Sequence, residues 1–248
     1  MNRSQVLAFL VIWLSASVAT AAPTAVSFKT TDHVTVFADY YTTGTPGRPL
    51  VLLFHQAGSN RAEYATIAPR LLALGFDALA IDQRSGGSLF GRGNETVQRL
   101  GHSEDYGKAY GDLEAAFAWA QSAARSGPVI LWGSSYSAAL VFLLAAKHQK
   151  EVKALLAFSP GEFLGGASSV RKAAAQLTIP IYVTSAREDS EVAQAKAILD
   201  ASPALQKVQF VPRIAGAHGS STLRQDRNPR GLEENWAAVE AFLAAFRP

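Results

Sequence analysis

The sequence contains no cysteine, and only 17% of its 248 residues are charged. The absence of cysteine excludes disulfide bonds, a thiolate nucleophile and a lipid-modified cysteine. Hydrophobic residues make up 48% of the chain, which excludes a disordered protein. Lys and Arg number 23 against 20 Asp and Glu, so no strong attraction to nucleic acid or to an acidic membrane is expected. A chain of this length and composition fits one domain with a large core.

Long apolar runs are also scarce, and the most marked one lies near the N-terminus. Residues 6–14 read VLAFLVIWL, Arg3 is the only charge before them, and residues 19–21 form an A-x-A pattern. The run is too short to span a bilayer and is typical of a secretory signal peptide, which predicts cleavage after residues 1–21 and a secreted or periplasmic protein. An uncleaved membrane anchor is the alternative. Cleavage after residue 21 would remove one charged residue, Arg3, and leave 22 basic residues against 20 acidic ones.

The rest of the chain alternates between strand-like and helix-like patterns. Strands are predicted at 26–30, 34–38, 50–54, 76–82, 129–132, 152–158, 179–184 and 208–211. Helical spacing occurs at 64–74, 112–120, 138–144, 168–177, 192–199 and 232–246. Repeated helix–strand alternation predicts an α/β fold with a mostly parallel sheet of about eight strands and helices on both faces. The long Gly-rich segment 83–107 is typical of a functional loop.

The most informative stretch is residues 129–137, VILWGSSYS, where an apolar strand ends at Gly133 and a buried helix follows. This pattern is typical of a nucleophile elbow, a sharp strand-to-helix turn that exposes a hydroxyl at the sheet edge. Gly133 leaves room for the chain to double back. Ser137 stands where a second glycine is usual. Ser134 is an alternative nucleophile, but the spacing from Gly133 favours Ser135 and predicts an acyl-transfer enzyme.

Two further residues follow later strands, and the carboxyl ends of parallel strands share one edge of the sheet. Asp189 follows the strand that ends at Thr184, and His218 lies in a Gly/Ser loop after the last strand. An imidazole can remove the serine proton and return it to the leaving group, while a carboxylate fixes the imidazole tautomer. We therefore predict a Ser135–Asp189–His218 triad. Glu188 and Glu162 compete with Asp189 for the acid role.

The order nucleophile, acid, histidine resembles that of the α/β-hydrolase fold, in particular the dienelactone-hydrolase-like and small serine esterase-like group. The resemblance covers essentially all of residues 22–248, the predicted α/β-hydrolase domain. In that group a glycine lies three residues before the acid and an apolar residue three after it. Ala186, Asp189 and Val192 match this spacing, with alanine in place of glycine. Dienelactone hydrolases use a cysteine nucleophile, which this chain lacks, so the resemblance implies a serine mechanism.

The same resemblance identifies an oxyanion segment. His55-Gln56 is similar to the HG motif of the family, with glutamine where glycine is common. It implies that the backbone N–H groups of Gln56 and Tyr136 stabilise the oxyanion, and that His55 braces this loop. Asp82 and Arg84 are interpreted as a structural pair or turn.

The implied function is a carboxylesterase-like serine hydrolase that acts on a small-molecule ester through an acyl-enzyme. Peptidase, thioesterase and a non-catalytic ligand-binding scaffold remain alternatives. No metal or organic cofactor is implied, and the spacing of His33, His102 and His148 is not that of metal ligands. Only one helix fits between the strands ending at 158 and beginning at 179, so no large cap is expected. Apolar residues are expected to line the site instead: Leu89, Phe90, Tyr106, Phe163 and Leu164.

Overall fold

The computed structural model describes residues 22–122, 127–166 and 168–247, so the predicted signal peptide lies outside the described residues. The strands are β1 (Thr24–Lys29), β2 (Thr35–Tyr41), β3 (Leu50–Phe54), β4 (Asp77–Ile81), β5 (Val129–Ser134), β6 (Val152–Phe158), β7 (Ile181–Thr184) and β8 (Lys207–Phe210). The α-helices are α1 (Ala68–Ala73), α2 (Glu95–Leu100), α3 (Tyr110–Ala120), α4 (Tyr136–Lys147), α5 (Ser169–Ala174), α6 (Asp189–Ala201) and α7 (Leu232–Leu243). Short 3-10 helices lie at Arg61–Tyr64, Leu89–Gly91, Tyr106–Ala109, Gly219–Leu223 and Ala244–Phe246.

All eight strands form one sheet in the order β1-β2-β4-β3-β5-β6-β7-β8. Strand β2 is antiparallel to both of its neighbours. The other six strands in the row, β4, β3, β5, β6, β7 and β8, pair in parallel. Every residue of β3, β4 and β5 is buried, as their continuous apolar sequences require in a sheet covered on both faces. The predicted mostly parallel α/β sheet is confirmed.

Helices cover both faces, and alternate side chains of each central strand point to opposite cores. Leu52 and Leu131 belong to the core formed with α3, α4, α5 and α6. Leu53 and Trp132 belong to the second core, formed with α1 and α7. The sheet is thereby fixed from both sides, which holds the carboxyl ends of its parallel strands in place.

Several predicted elements differ in extent from the observed ones. The helix expected over 64–74 is divided into a 3-10 helix and α1, because Pro69 begins a new helix at its first turn. Helix α6 begins at Asp189, three residues earlier than predicted. The segment 83–107 contains α2 and two 3-10 helices rather than irregular loop alone.

No large cap is present in the described parts of the chain. Between β6 and β7 they contain only α5. The segment 83–107 is instead attached beside β3, where Nδ2 of Asn60 donates to the carbonyl oxygens of Leu89 and Arg92 at 2.8 and 2.6 Å. Among the described residues, no helix has the length and apolar character needed to cross a membrane.

Of the structural pair or turn expected at Asp82 and Arg84, the turn is present at Arg84 and Ser85, whereas the two side chains belong to separate buried networks. Asp82 accepts hydrogen bonds from Arg61, both from its backbone N–H at 2.8 Å and from its guanidinium. Arg84 pairs with buried Asp112 at 2.8 Å, and Asp32 holds the other side of its guanidinium. The two arginines therefore anchor different segments around the end of β4.

We predict that Gly133→Ala destabilises the fold. A Cβ at Gly133 would lie 2.4 Å from the carbonyl oxygen of Ser137 and 2.7 Å from Cα of Ala138, both backbone atoms. Since backbone cannot move aside cheaply, overpacking should lower the free energy of unfolding by about 1–3 kcal/mol. Urea unfolding measures this loss. Gly107→Ala, where nothing lies within 4 Å of the new Cβ, is the control and should change stability by less than about 0.5 kcal/mol.

Candidate active site

The turn between β5 and α4 places Ser135 at the carboxyl edge of the sheet. Its φ of 59° and ψ of −122° are strained for a residue with a side chain. The turn is held by the Ser135 N–H, which donates to the carbonyl of Phe158 at 2.8 Å, and by the Ala138 N–H, which donates to the carbonyl of Ser135 at 2.8 Å. Ser135 is 9% exposed, so the residue is largely enclosed.

The structure brings Ser135 and His218 together. Nε2 of His218 lies 2.8 Å from Oγ of Ser135. His218 directly precedes the 3-10 helix Gly219–Leu223, and the Gly219 N–H donates to Oγ of Ser159 at 2.9 Å. This bond connects the histidine loop to the end of the neighbouring strand β6 and so fixes the imidazole over the serine.

The acid beside His218 is Glu191, not the predicted Asp189. Oε1 of Glu191 lies 2.7 Å from Nδ1 of His218. Oε2 accepts hydrogen bonds from Oγ of Ser159 at 2.8 Å and from the Ala186 N–H at 3.1 Å. Both carboxylate oxygens of Glu191 are therefore held in place. The imidazole nitrogen that does not face Ser135, Nδ1, has a fixed partner.

Helix phase explains why Asp189 is not at the site. At 3.6 residues per turn, two positions along α6 correspond to a rotation of about 200°. Asp189 is exposed on the solvent side, whereas Glu191 shares a face with the buried Ala195 and Ile198. That i, i+4, i+7 relation is the signal in the sequence that identifies Glu191.

Of the two other candidate acids, one is exposed to solvent and the other stabilises the start of a helix. Glu188 is the exposed residue immediately before α6. Glu162 accepts hydrogen bonds from the N–H groups of Val170 and Arg171 at 2.9 and 3.0 Å, and so stabilises the first turn of α5.

The charges of the site support an imidazole base. The hydrogen bond that His218 donates to Glu191 raises the pKa of His218 above its ordinary value, although burial opposes the shift. Burial opposes ionisation of Glu191, yet its hydrogen bonds with His218 and Ser159 bring its pKa below the ordinary value. Glu191 is therefore ionised at neutral pH, and it stabilises the protonated form of His218.

The predicted oxyanion donor Gln56 is not available in this geometry. Its N–H donates to Oε2 of the buried Glu63 at 2.9 Å. Among the described residues, the N–H groups of Ala57 and Tyr136 have no hydrogen-bond partner. Tyr136 is the first residue of α4, where backbone N–H groups are free and the helix dipole favours negative charge. Ala57 therefore replaces Gln56 as the candidate donor on this loop.

His55 lies beneath the oxyanion loop as a buried neutral imidazole. Its Nε2 accepts from the Gln83 N–H at 2.9 Å, which assigns the proton to Nδ1, 2.8 Å from the carbonyl of Gln56. Burial lowers its pKa to about 4. Ser137 donates to the His55 carbonyl at 2.6 Å, so the residue in place of the second elbow glycine attaches the elbow to this loop.

Ser134, the alternative nucleophile, has its hydroxyl engaged by groups other than the His218 imidazole. It is fully buried, its Oγ donates to Oε1 of Glu63 at 2.6 Å, and it accepts from the Ser220 N–H at 2.8 Å. Of the two adjacent serines, Ser135 is the one in contact with the imidazole.

The residues expected to line the site have different surroundings. Tyr106 stacks on Tyr136, with ring centroids 4.4 Å apart, and Leu89 donates its N–H to the Gly58 carbonyl at 3.2 Å. Both are partly exposed, as is Phe163 after β6. Phe90 is instead covered by the guanidinium of Arg224, 4.3 Å from the ring centroid. Leu164 packs against the core that contains α3 to α6.

Metal ligation finds no support in the residues described. They contain no group of three or more His, Asp or Glu side chains arranged to hold an ion. His148 contacts Glu114, with 2.9 Å between Nε2 and Oε2.

Comparison with known proteins identifies the fold. Residues 45–162 match the sequence model of the family described as serine aminopeptidase, S33. Dienelactone hydrolase from Anabaena variabilis superposes with a TM-score of 0.69 at 18% identity, covering 91% of this chain and 98% of that one. A cold-adapted esterase from an Arctic intertidal metagenomic library gives 0.67 at 19% identity, with 90% and 93% covered. An esterase of Pyrococcus furiosus gives 0.68 at 19% identity, with 90% and 92% covered. A search of curated protein sequences finds no match.

We predict that Glu191→Gln lowers the pKa of His218, whereas Asp189→Asn leaves it unchanged. The hydrogen bond and charge of Glu191 are the main cause of the raised pKa, and an amide cannot stabilise an imidazolium in the same way. NMR titration of the imidazole measures the shift. An equal fall in both variants would contradict the assignment of Glu191 as the partner.

Proposed function

We propose that this chain, an α/β-hydrolase similar to the dienelactone-hydrolase-like group, is a serine hydrolase that cleaves carboxylic esters through an acyl-enzyme on Ser135. The observation that carries the proposal is the continuous contact Ser135–His218–Glu191, with distances of 2.8 and 2.7 Å. A serine hydroxyl is a weak nucleophile until a base removes its proton. The site supplies that base and a carboxylate to orient it.

In the acylation step, Oγ of Ser135 attacks the ester carbonyl carbon while Nε2 of His218 takes the hydroxyl proton. The carbonyl oxygen becomes an oxyanion, which the N–H groups of Ala57 and Tyr136 stabilise. Loss of one such donor typically costs about 3 kcal/mol in the transition state. Collapse of the tetrahedral intermediate breaks the bond to the alcohol oxygen, and His218 donates its proton to the departing alkoxide.

In the deacylation step, a water molecule gives its proton to His218 and attacks the acyl carbon. The second tetrahedral intermediate releases the carboxylic acid, and the proton returns to Ser135. Glu191 holds the Nδ1 proton throughout and stabilises the imidazolium that forms twice in each cycle. Ser159 and the Ala186 N–H keep the Glu191 carboxylate in position.

Ester substrates are favoured because two of the similar solved structures named above are described as esterases and superpose over 90% of this chain. A peptidase with the same triad is the second candidate, since residues 45–162 match a family described as serine aminopeptidase. That match includes Ser135 but ends before Glu191 and His218. Both reactions use the same acyl-enzyme and differ in the leaving group.

We predict that a fluorophosphonate forms an adduct on Ser135 of the wild-type protein, detectable by peptide mass mapping. His218→Ala should abolish it because the hydroxyl loses its base, and Ser135→Ala should abolish it because the nucleophile is gone. Ser134→Thr, at the adjacent buried hydroxyl, tests selectivity, since Ser135 should still be the labelled residue. A folded wild-type protein without an adduct would contradict the proposal and favour a binding scaffold.

A substrate panel separates the two reactions. Matched p-nitrophenyl esters of increasing acyl length and aminoacyl p-nitroanilides should show turnover of the esters and little of the anilides. Preferential anilide turnover would instead favour the peptidase.

The proposed site of action is outside the cytoplasm. The support is the sequence of residues 1–21, with its single basic residue, apolar run and A-x-A pattern. Expression of the full-length gene in a bacterial host should yield a periplasmic or secreted protein that begins at Ala22, as measured by intact mass. Ala21→Arg should block processing, because a small residue is required before the cleavage point. An unprocessed, membrane-associated wild-type protein would indicate an anchor.

A further inference from the structure

Glu63 is a buried carboxylate directly behind the nucleophile elbow, and the proposed chemistry does not use it. It is 0% exposed, and among the residues described it forms no ion pair with Lys, Arg or His. Burial raises the pKa of this carboxyl, whereas hydrogen bonds from Ser134, Gln56 and Ser59 and the nearby charge of Arg224 oppose that shift. A buried carboxylate without a direct ion pair is costly, so hydrogen bonds are the direct contacts that hold it in position.

These hydrogen bonds join the three loops of the site. Oε2 of Glu63 accepts from the Gln56 N–H at 2.9 Å, and Oε1 accepts from Oγ of Ser134 at 2.6 Å. Oγ of Ser134 in turn accepts from the Ser220 N–H at 2.8 Å. One carboxylate therefore connects the oxyanion loop, the residue before the nucleophile and the loop that carries His218.

The packing around this connection is tight. A Cβ at Gly219, the residue after His218, would lie 2.4 Å from Oγ of Ser134. The histidine loop is thus in direct contact with the serine that Glu63 holds. A shift of the Ser134 side chain would therefore be transmitted to His218.

The backbone of Glu63 is itself held by hydrogen bonds at its N–H and at its carbonyl oxygen. It lies in the 3-10 helix Arg61–Tyr64, which Asn60 caps by accepting from the Ala62 N–H at 2.9 Å. The Glu63 N–H donates to the Asn60 carbonyl at 3.1 Å, and Nη1 of Arg224 donates to the Glu63 carbonyl at 2.8 Å. Its carboxylate is consequently a rigid reference point.

We propose that Glu63 is a positioning residue of the hydrolase site, which fixes the oxyanion loop relative to Ser135 and His218 through Gln56 and Ser134. The inference rests on the proposed serine hydrolase function. Because the Gln56 N–H is directed to Glu63, the next N–H, that of Ala57, is left free for the oxyanion. Loss of the carboxylate lets this donor move relative to the nucleophile, and misplacement of about 1 Å can cost up to about 100-fold in rate.

The test is Glu63→Gln, measured with a p-nitrophenyl ester below the unfolding temperature of all variants. The amide keeps the side-chain shape but offers only one acceptor oxygen, so one of its two donors loses its partner. We expect kcat to fall about 10- to 100-fold with KM changed less than about threefold, because the interaction acts on the transition state. The rate of fluorophosphonate labelling of Ser135 should fall in parallel.

Asp77→Asn is the matched control for general destabilisation. Asp77 is also a buried carboxylate that accepts two hydrogen bonds, here from the hydroxyls of Tyr40 at 3.1 Å and Thr42 at 2.7 Å, and it differs from Glu63 in its ion pair with Arg48 at 3.3 Å. It begins β4, at the sheet edge opposite the site. Asp77→Asn should lower the unfolding temperature and leave kcat within about twofold of wild type, whereas a purely structural role of Glu63 would make the two variants behave alike.

Ser134→Ala provides a second route if Glu63→Gln does not fold. It removes the hydroxyl between Glu63 and Ser220, and we expect a lower kcat with an unchanged KM. Where Glu63→Gln and Ser134→Ala both fold, the two changes are combined in one protein. The fold-decrease in its kcat should be smaller than the product of the two single fold-decreases, because the two residues act as one unit.

The outcomes separate this inference from the proposed function. Wild-type turnover and labelling, with kcat in Glu63→Gln and Ser134→Ala within twofold of wild type, would overturn the positioning role alone. A wild-type protein that neither hydrolyses esters nor forms the adduct would overturn the proposed function and this inference with it.

Discussion

The strained turn at Ser135 is the constraint on which the site depends. A residue with a side chain is held at a φ of 59° because β5 and α4 are buried on both sides of it and cannot relax. Gly133 permits the close crossing of strand and helix, where an added Cβ would meet backbone atoms. The sheet cores therefore contribute the energy that keeps the hydroxyl at the sheet edge, and the neighbouring loops need only orient groups around it.

Those loops are oriented by hydrogen bonds to single carboxylates and to hydroxyl groups. Ser159 lies at the centre of one such arrangement, since it donates to Glu191 and accepts from the Gly219 N–H. Glu63 forms a similar centre on the opposite side of the nucleophile. The buried ion pairs of Arg61 and Arg84 hold segment 83–107 and its surroundings. Hydrogen bonds to two carboxylates thus position the loops beside the serine, and buried ion pairs hold the segment 83–107.

Sequence periodicity predicted most of the fold because each central strand is continuous apolar sequence and each helix has an apolar stripe. The strand Leu50–Phe54 and the strand Val152–Phe158 were predicted with their observed bounds. Errors arose where a local signal divided an element, as Pro69 does before α1. At the site, Ser135 and His218 were predicted and are in contact, whereas Asp189 was replaced by Glu191.

The sequence by itself determined the α/β alternation, the elbow at Ser135 and the position of His218 after the last strand, because apolar periodicity and glycine placement are local properties. Tertiary structure decided which carboxylate reaches the imidazole and which N–H is free. The acid depends on the rotation of α6 against the sheet, which directs Glu191 inward and Asp189 outward. The oxyanion donor depends on a contact between Gln56 and Glu63, seven residues apart, whose geometry only the folded loop creates.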